Sequence, residues 1–440
     1  MRLLILSNAP FAGTGYGVQT ALLARGLRDA GHECAILAYW GLEGARLDFE
    51  GIPVFPRSRH PASQDFMVPL AAQLNCQAVI SITDAWVIET QRFAGSDLAH
   101  VPWFPVDGDP MDQENARGIA GPGPKVTLPV ATSNHAAAMA RARGITDLRT
   151  IHYMVDRTVY RPGGSQAEDR DFWGIPTDAF IVGIVAMNKA AAGVDRKRFF
   201  EQIGAFAAFR KNHPDALLYM HSHMMAPDGV AIQEIVAHHK LPPEALLATN
   251  GFVLTCGAQP DQMAALYRSF DVLLGVTGGE GAGMPHLEAA ACGTPSIWGE
   301  WTAMPEYAKA GWKVEANEAQ QQMNMGRVLW QVPRIDAIAD RLEQAYDASD
   351  RDRKVLSERA VTGSEDHDAL KVVPDKWIPA LAEVDRRLEE SERVTSVPIP
   401  DVLRPEFKAA VEYDEQVIDE ETGETRADRA AFIEKVEGRA

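Results

Sequence analysis

Two carboxylates eight positions apart, Glu280 and Glu288, bracket a stretch of the chain that is rich in glycine. Glycines at 278, 279, 281 and 283 precede Pro285, a residue that favours the first turn of a helix. A glycine loop that leads into a helix exposes backbone N–H groups and the positive end of the helix dipole, which suits a phosphate. A carboxylate in the first helical turn can accept hydrogen bonds from sugar hydroxyls. The spacing therefore predicts a site for a ligand that carries both phosphate and sugar.

Two adjacent cations, Arg196 and Lys197, follow a predicted strand at 180–186 and open a predicted helix at about 198–212. The helix dipole disfavours cations at this position, so a ligand explains them better than a solvated helix start does. An arginine gives a phosphate a bidentate contact, and a lysine gives it a compact charge. The pair therefore indicates a clamp for a diphosphate.

A second glycine loop, with Gly13, Gly15 and Gly17, follows a predicted strand at 2–8 and precedes a predicted helix. It lacks the dinucleotide-binding fingerprint, because Val18 occupies the place of the third glycine. A phosphate-binding loop and a tight turn that needs positive φ values both fit these residues.

Side chains that bind metals occur in two places, but neither place has a complete ligand set. Asp107 and Asp109 flank a glycine as in a metal clamp, although an ordinary turn explains the same pattern. His221 and His223 end a predicted strand without a third ligand beside them. The sequence also lacks the motifs of serine hydrolases, P-loop proteins and zinc proteases. We therefore expect neither a bound metal nor another cofactor.

Apolar runs alternate with helical patterns along most of the chain, which predicts parallel strands connected by helices. Strands are predicted at 2–8, 34–39, 77–82, 100–105, 126–132, 180–186, 216–220, 252–254, 271–276 and 294–298. Helices are predicted at 18–30, 63–74, 134–143, 198–212, 334–347 and 351–361. Polar loops, at 83–84 and 106–110, follow strands at the edge where open α/β sheets bind ligands. The fold class is therefore α/β, with doubly wound parallel sheets.

A polar segment at 161–170, rich in residues that break helices and strands, separates two halves of similar pattern. We predict a first domain at 1–162 and a second at 170–375. A helix at 376–393 follows, and then an extension at 394–440 that holds 6 Lys and Arg against 12 Asp and Glu. This composition is typical of a solvated tail that is partly helical at 427–436, and a binding element is the alternative.

The charge of the chain is unevenly distributed. The net charge is −18, but residues 1–165 carry 14 Lys and Arg against 15 Asp and Glu. An acidic chain repels nucleic acid and anionic membranes, so the nearly neutral first half is the only plausible face for an anionic partner. Four scattered cysteines and the absence of a long apolar run favour a cytoplasmic protein without stable membrane association.

The stretch from Glu280 to Pro295, Glu-Gly-Ala-Gly-Met-Pro-His-Leu-Glu-Ala-Ala-Ala-Cys-Gly-Thr-Pro, closely resembles the signature of family 4 retaining glycosyltransferases. That family has the GT-B architecture, in which two Rossmann-like domains face each other across a cleft. The order of the other features agrees over roughly residues 1–390, and the helix beginning at Trp377 resembles the family's terminal helix, which crosses back to the first domain. The resemblance therefore implies an acceptor domain followed by a donor domain.

The resemblance assigns roles to the residues at matching positions. Arg196 and Lys197 resemble the cations that neutralise the donor diphosphate, and Glu288 resembles the carboxylate that holds the ribose. Glu280 resembles the group that orients the transferred sugar. It is expected to act with the backbone N–H groups of Gly281, Ala282, Gly283 and Met284.

Further roles follow from the same resemblance. The loop that approaches the diphosphate from the first domain corresponds to Gly13, Gly15 and Gly17. Phe252 and Val253 stand where the family holds the base. Asp107 is the nearest candidate for the place in which many members have a histidine near the sugar.

The resemblance implies a retaining glycosyltransferase that moves a hexose from a nucleotide-diphosphate sugar, with UDP-glucose as the expected type of donor and no metal. A nucleotide-sugar epimerase and a non-catalytic nucleotide-sugar-binding protein are the alternatives on this fold. The expected acceptor is soluble: a glycan, a protein, or a hydroxymethylated base in phage DNA. The sequence leaves the oligomeric state open.

Overall fold

The computed structural model of the chain describes residues 1–190, 193–317, 321–324 and 328–396. The chain divides into two compact units, Met1–Leu388 and Glu389–Ala440. Both large sheets lie in the first unit. Positions 397–440, most of the predicted acidic extension, lie outside the described residues.

The first sheet has nine strands in the order β3-β4-β2-β1-β5-β6-β8-β9, with β7 also paired to β6. The strands are β1 (Arg2–Asn8), β2 (Glu33–Trp40), β3 (Leu47–Phe49), β4 (Ile52–Phe55), β5 (Ala78–Ile82), β6 (Ala99–Phe104), β7 (Val126–Thr127), β8 (Val130–Ala131) and β9 (Arg149–Thr150). Every pair is parallel except β3 with β4. In the centre, Ile5 pairs with Ile36 on one side and Ile80 on the other. Central strands buried on both faces require such continuous apolar runs.

The second sheet has six parallel strands in the order β12-β11-β10-β13-β14-β15. They are β10 (Ile181–Val185), β11 (Leu217–His221), β12 (Leu246–Ala248), β13 (Val272–Gly275), β14 (Ser296–Gly299) and β15 (Gly311–Val314). This is the Rossmann order: the first three strands follow one another toward one edge of the sheet, and the fourth lies on the other side of the first. A separate antiparallel pair follows, consisting of β16 (Gln321–Asn324) and β17 (Val328–Gln331).

Helices cover the two large sheets. Those before the second sheet are α1 (Gly15–Asp29), α2 (Gln64–Gln73), α3 (Gln113–Ala120), α4 (Asn134–Ala142) and α5 (Gln166–Trp173). Those between its strands in chain order are α6 (Phe199–Phe209), α7 (Ile232–His238), α8 (Gly251–Cys256), α9 (Pro260–Ser269), α10 (Met284–Ala291) and α11 (Met304–Tyr307). Those after it are α12 (Ile335–Tyr346), α13 (Asp350–Gly363), α14 (Ala369–Val372) and α15 (Ile378–Ser396).

The beginning of α15 packs on the first sheet. The buried rings of Trp377, just before the helix, and Trp103 in β6 meet edge to face, with centroids 4.9 Å apart. Arg387 of the helix also pairs with Asp147, which precedes β9, at 2.8 Å. A chain that has completed the second sheet thus returns to the side of the first. The domain boundaries at 162, 170 and 375 stay a prediction.

The structure corrects one predicted strand and adds elements that the pattern did not indicate. Residues 252–254 lie in helix α8, where the Asn250 side chain accepts a hydrogen bond from the N–H of Phe252 at 2.8 Å. No residue of α8 is buried, so this apolar run does not belong to a core strand. The strand predicted at 126–132 is interrupted at Pro129, because proline cannot donate a ladder hydrogen bond. The two hairpins, β3–β4 and β16–β17, were not predicted.

Candidate active site

The predicted site residues lie on loops at the carboxyl ends of central strands. Arg196 and Lys197 follow β10, the glycines at 278–283 follow β13, and Asp107 follows β6 of the first sheet. In Rossmann-type sheets this edge binds ligands at the point where the strand order reverses, here between β10 and β13.

Glu280 joins the two predicted cations in one cluster. Its Oε2 accepts a hydrogen bond from Nη1 of Arg196 at 2.8 Å, and its Oε1 accepts one from Nζ of Lys197 at 2.6 Å. The three side chains are between 11% and 24% exposed. Residues 83 and 84 positions apart in sequence therefore share one largely buried site.

The charges of these three side chains act on one another's pKa values. Burial alone would raise the pKa of Glu280, but the charges of Arg196 and Lys197 outweigh it and lower the pKa to about 2. Burial lowers the pKa of Lys197 although Glu280 opposes the change. For Arg196, burial is outweighed by Glu280 and Asp107, which raise its pKa. Glu280 is thus ionised, and it partly neutralises two cations that a diphosphate would also attract.

Asp107 approaches the same arginine from the first sheet. Its Oδ2 lies 3.5 Å from Nε of Arg196. Burial raises the pKa of Asp107, Arg196 opposes this, and the carboxylates of Asp84 and Glu280 add to the rise. Asp107 therefore belongs to the cluster, and its pKa depends on the charges of the other members.

The glycines after β13 allow the loop after β6 to come very close. A Cβ atom on Gly279 would lie 2.0 Å from the carbonyl oxygen of Asp107, and one on Gly281 would lie 2.3 Å from Cβ of Pro105. Thr132 strengthens the contact by donating a hydrogen bond to the Gly281 carbonyl at 2.9 Å. Glycine is therefore required here for contact between the loops of the two sheets, in addition to the expected exposure of N–H groups.

Helix α10 begins directly after this loop and carries the second glutamate. Gly283, at φ +96°, precedes the helix, as suits a residue without a side chain. Glu288 is the fifth residue of α10, so it lies on the second turn and not on the first as expected. The hydroxyl of Tyr267 donates to its Oε2 at 2.6 Å. Burial raises the pKa of Glu288 to about 7 although the Tyr267 bond opposes this.

The first glycine loop faces the second sheet. A Cβ atom placed on Gly13 would lie 4.0 Å from Cα of Gly257, at the end of α8. A Cβ atom placed on Gly15 would lie 3.9 Å from Cγ of Met284. Helix α1 begins at Gly15, so Gly15 and Gly17 belong to its first turn and only Gly13 is in the loop. The structure thus brings this loop to the start of α10.

Phe252 and Val253 occupy α8, whose end adjoins Gly13. The Phe252 side chain is 75% exposed, which leaves its ring accessible. Its assignment to the nucleotide base stays a prediction.

Sequence reasoning missed the contribution of the hairpin β16–β17. The N–H of Leu329 donates to the Asp109 carbonyl at 2.8 Å, and the N–H of Gln331 donates to the Gly278 carbonyl at 2.9 Å. Strand β17 therefore joins the loop after β6 to the loop after β13. Between these bonds, the indole of Trp330 is buried, and its Nε1 has no hydrogen-bond partner among the described residues. No motif in the sequence indicates this arrangement.

Two further findings concern partners of the site. Among the described residues, no group of three or more His, Cys, Asp or Glu side chains is arranged to hold a metal ion. A search of the helices in the same part of the chain finds none that is long and apolar enough to cross a membrane.

Comparisons with known proteins support the architecture. No family model and no curated protein sequence matches the chain. Among solved structures, a glycosyltransferase from Rickettsia africae is similar with a TM-score of 0.63 and 15% identity, covering 87% of this chain and 98% of that one. HepE from Anabaena, solved with UDP and glucose, has a TM-score of 0.61 and 15% identity, covering 87% of this chain and 100% of that one. WaaG, a glycosyltransferase of lipopolysaccharide biosynthesis, has a TM-score of 0.59 and 12% identity, covering 88% of this chain and 99% of that one.

At such low sequence identity, the similarity is evidence for the fold alone. The fold of these neighbours agrees with the two sheets of Rossmann type and with the loops that face each other between them. The fold class predicted from the sequence is confirmed: the chain is an α/β protein with the GT-B architecture.

Proposed function

We propose that the protein is a retaining glycosyltransferase that transfers a hexose from a nucleotide-diphosphate sugar to a hydroxyl group. The observation that carries the proposal is the convergence of Arg196 and Lys197 on Glu280, directly before the N-terminus of α10. Two cations and a helix N-terminus suit a diphosphate, and an ionised carboxylate suits the hydroxyls of a sugar.

The chemistry follows from where charge develops. When the bond between the anomeric carbon and the phosphate oxygen breaks, its electron pair stays on the diphosphate and positive charge develops on the sugar ring. Arg196 and Lys197 stabilise the leaving diphosphate, which is the main electrostatic task of such a site. The acceptor hydroxyl attacks from the side that the diphosphate leaves, and its proton passes to a phosphate oxygen. The anomeric configuration is thereby retained, and no metal takes part.

The carboxylates have separate roles in this proposal. Glu280 orients the sugar, with the N–H groups from Gly281 to Met284 at its side. Glu288 holds the ribose, and Tyr267 fixes the direction of its carboxylate through the 2.6 Å hydrogen bond. Asp107, held near Arg196 from the first sheet, takes the place of a histidine beside the sugar.

UDP-glucose is the proposed donor, because a protein of the same fold, HepE from Anabaena, has been solved in complex with UDP-glucose. The acceptor is proposed to be soluble, and glycan, protein and hydroxymethylated DNA are the candidates. An epimerase would convert the donor without an acceptor, and a binding protein would leave it intact. The two alternatives therefore predict different products.

The test is to incubate the purified protein with radiolabelled UDP-, GDP- and ADP-sugars, with and without acceptor mixtures. We expect release of UDP and an α-linked product from UDP-glucose, whose own anomeric linkage is α. Glu280→Ala should abolish both, and Glu300→Ala, which removes an exposed carboxylate, is the matched control. Recovery of an epimerised sugar nucleotide, or binding of the donor without any turnover, would overturn the proposal.

A further inference from the structure

Three large aromatic side chains are exposed on loops that follow neighbouring strands of the first sheet. Phe11, Trp40 and Trp86 are 50%, 52% and 56% exposed. Trp40 ends β2, while Phe11 and Trp86 closely follow β1 and β5, and these strands are adjacent in the order β2-β1-β5. Because the strands are parallel, all three rings lie on the loops of one edge. Single exposed aromatic residues are common, whereas a group of them at one edge marks a binding surface.

A cavity of about 330 Å³ lies beside one of these rings. It is lined by Tyr39, Trp40, Gly41, Leu42, Glu43 and Arg57. Its size is at the lower end of the range of small-ligand sites, roughly 300–1,000 Å³. Nη2 of Arg57 and Oε1 of Glu43 form an ion pair at 2.8 Å, with both side chains still partly exposed. The cavity thus offers an aromatic face together with hydrogen-bond donors and acceptors.

The cavity lies on the same edge of the first sheet as the proposed donor site. Tyr39, in the cavity wall, donates a hydrogen bond from its hydroxyl to Oγ1 of Thr83 at 2.9 Å. The next residue, Asp84, accepts a hydrogen bond from the Tyr16 hydroxyl at 2.8 Å. Asp84 follows β5 and Asp107 follows the parallel neighbour β6, so both carboxylates lie on loops of the edge that carries the cavity. A ligand in the cavity is therefore bound at the sheet edge to which Asp107 of the donor site belongs.

We propose that this surface binds the acceptor and that the acceptor is an uncharged carbohydrate, an inference that rests on the function proposed above. The C–H face of a sugar ring packs on an indole ring, as apolar surface packs on aromatic surface generally. Its hydroxyl groups pair with carboxylates and guanidinium groups, which Glu43, Arg57 and Asp84 supply. A row of aromatic rings suits a chain of several sugar units, with the reacting end at Asp84.

The charges at this edge favour an uncharged acceptor over a nucleic acid. Binding of a phosphate backbone depends on lysine and arginine side chains that neutralise it. Here the cation of the cavity, Arg57, is already paired with Glu43. Two carboxylates, Asp84 and Asp107, lie on loops of the same sheet edge, and the whole chain carries −18. A polyanion would have to approach against these charges.

The test measures binding to the full chain without donor, by calorimetry and saturation-transfer NMR. The probes are neutral hexasaccharides of glucose, mannose and galactose, a peptide rich in serine and threonine, and a duplex that contains hydroxymethylated bases. We expect at least one hexasaccharide to bind and, once labelled donor is added, to become labelled. Trp40→Ala and Trp86→Ala should each weaken its binding about tenfold through the lost aromatic contact. Phe172→Ala removes an equally exposed ring from α5 and is the matched control.

The inference is overturned if no hexasaccharide binds, if both tryptophan variants bind it as the unchanged protein does, or if only the peptide or the duplex becomes labelled. Because binding is measured without donor, its failure can be told apart from a failure of glycosyl transfer. Circular dichroism of each variant shows whether a loss of binding reflects misfolding, and the double variant Trp40→Phe, Trp86→Phe should retain most of the binding.

Discussion

The ammonium group of Lys197 donates a hydrogen bond to the carboxylate of Glu280 at 2.6 Å, inside a cluster that is largely buried. Arg196 binds the other oxygen at 2.8 Å, so one carboxylate is shared by two cations. A diphosphate that enters this site must compete with the carboxylate for the same two groups. In the proposed function, Glu280 should therefore influence donor affinity as well as the orientation of the sugar.

The first prediction concerns this competition. Glu280→Gln keeps the shape of the side chain but removes its charge, so UDP should bind as tightly as before or up to about tenfold more tightly. Transfer should nevertheless fall by about a hundredfold or more, because the sugar loses its orienting carboxylate. Calorimetry with UDP and a transfer assay measure the two effects. Weaker binding of UDP to the variant would show that Glu280 does not compete with the diphosphate.

The second prediction concerns Glu288 and the pH dependence of stability. Its pKa in the folded protein is about 7, above the ordinary value of 4.5, so the folded state binds the proton more strongly than the unfolded state. The stability that this proton contributes is fully present below about pH 4.5 and is lost as the pH rises through 7. The loss amounts to at most about 3 kcal/mol. Glu288→Gln should therefore raise Tm at pH 8 relative to the unchanged protein and change it little at pH 5.

Thermal unfolding at the two pH values checks this, and the same variant should bind UDP more weakly because the ribose loses its carboxylate. An equal change of Tm at both pH values would show that Glu288 is already ionised in the folded protein at pH 5. Glu300→Gln, at an exposed position, is the control.

The third prediction concerns the contact between the loops of the two sheets. In Gly279→Ala the new methyl group would meet the Asp107 carbonyl, so the loops should separate and Asp107 should move away from Arg196. Even a shift of about 1 Å can reduce a rate about a hundredfold. Small-angle scattering should show a larger radius of gyration, and the transfer assay a lower kcat.

Gly251→Ala is the matched control for this variant, because a Cβ atom at Gly251 meets open space. Unchanged scattering together with unchanged kcat in Gly279→Ala would contradict the proposed role of the contact.

The sequence predicted those parts of the site that lie in continuous stretches. The glycine loop and α10 follow one another between 278 and 291, and the pair Arg196-Lys197 stands at the matching place after β10, so strand order alone brings them together. The central strands were predictable for a similar reason, since runs such as that of β1 are apolar throughout. The strand order of the second sheet is the Rossmann order.

Other parts depend on packing that local pattern does not contain. The bond from Tyr267 to Glu288 joins residues on two helices, and α8 is a helix although its apolar run resembles a strand. Strand β17 links Asp109 to Gly278 only because the two sheets face each other. The need for glycine at 279 likewise comes from a carbonyl group 172 positions earlier in the chain.

The central claim is that Arg196 and Lys197 hold the donor diphosphate, and calorimetric binding of UDP tests it most directly. Arg196→Ala and Lys197→Met should each weaken UDP binding about tenfold to a hundredfold, since each removes a charged hydrogen bond to phosphate. Arg334→Ala, which removes an exposed cation paired with Asp336, should leave it unchanged. Binding of UDP to both cluster variants with the affinity of the unchanged protein would contradict the account.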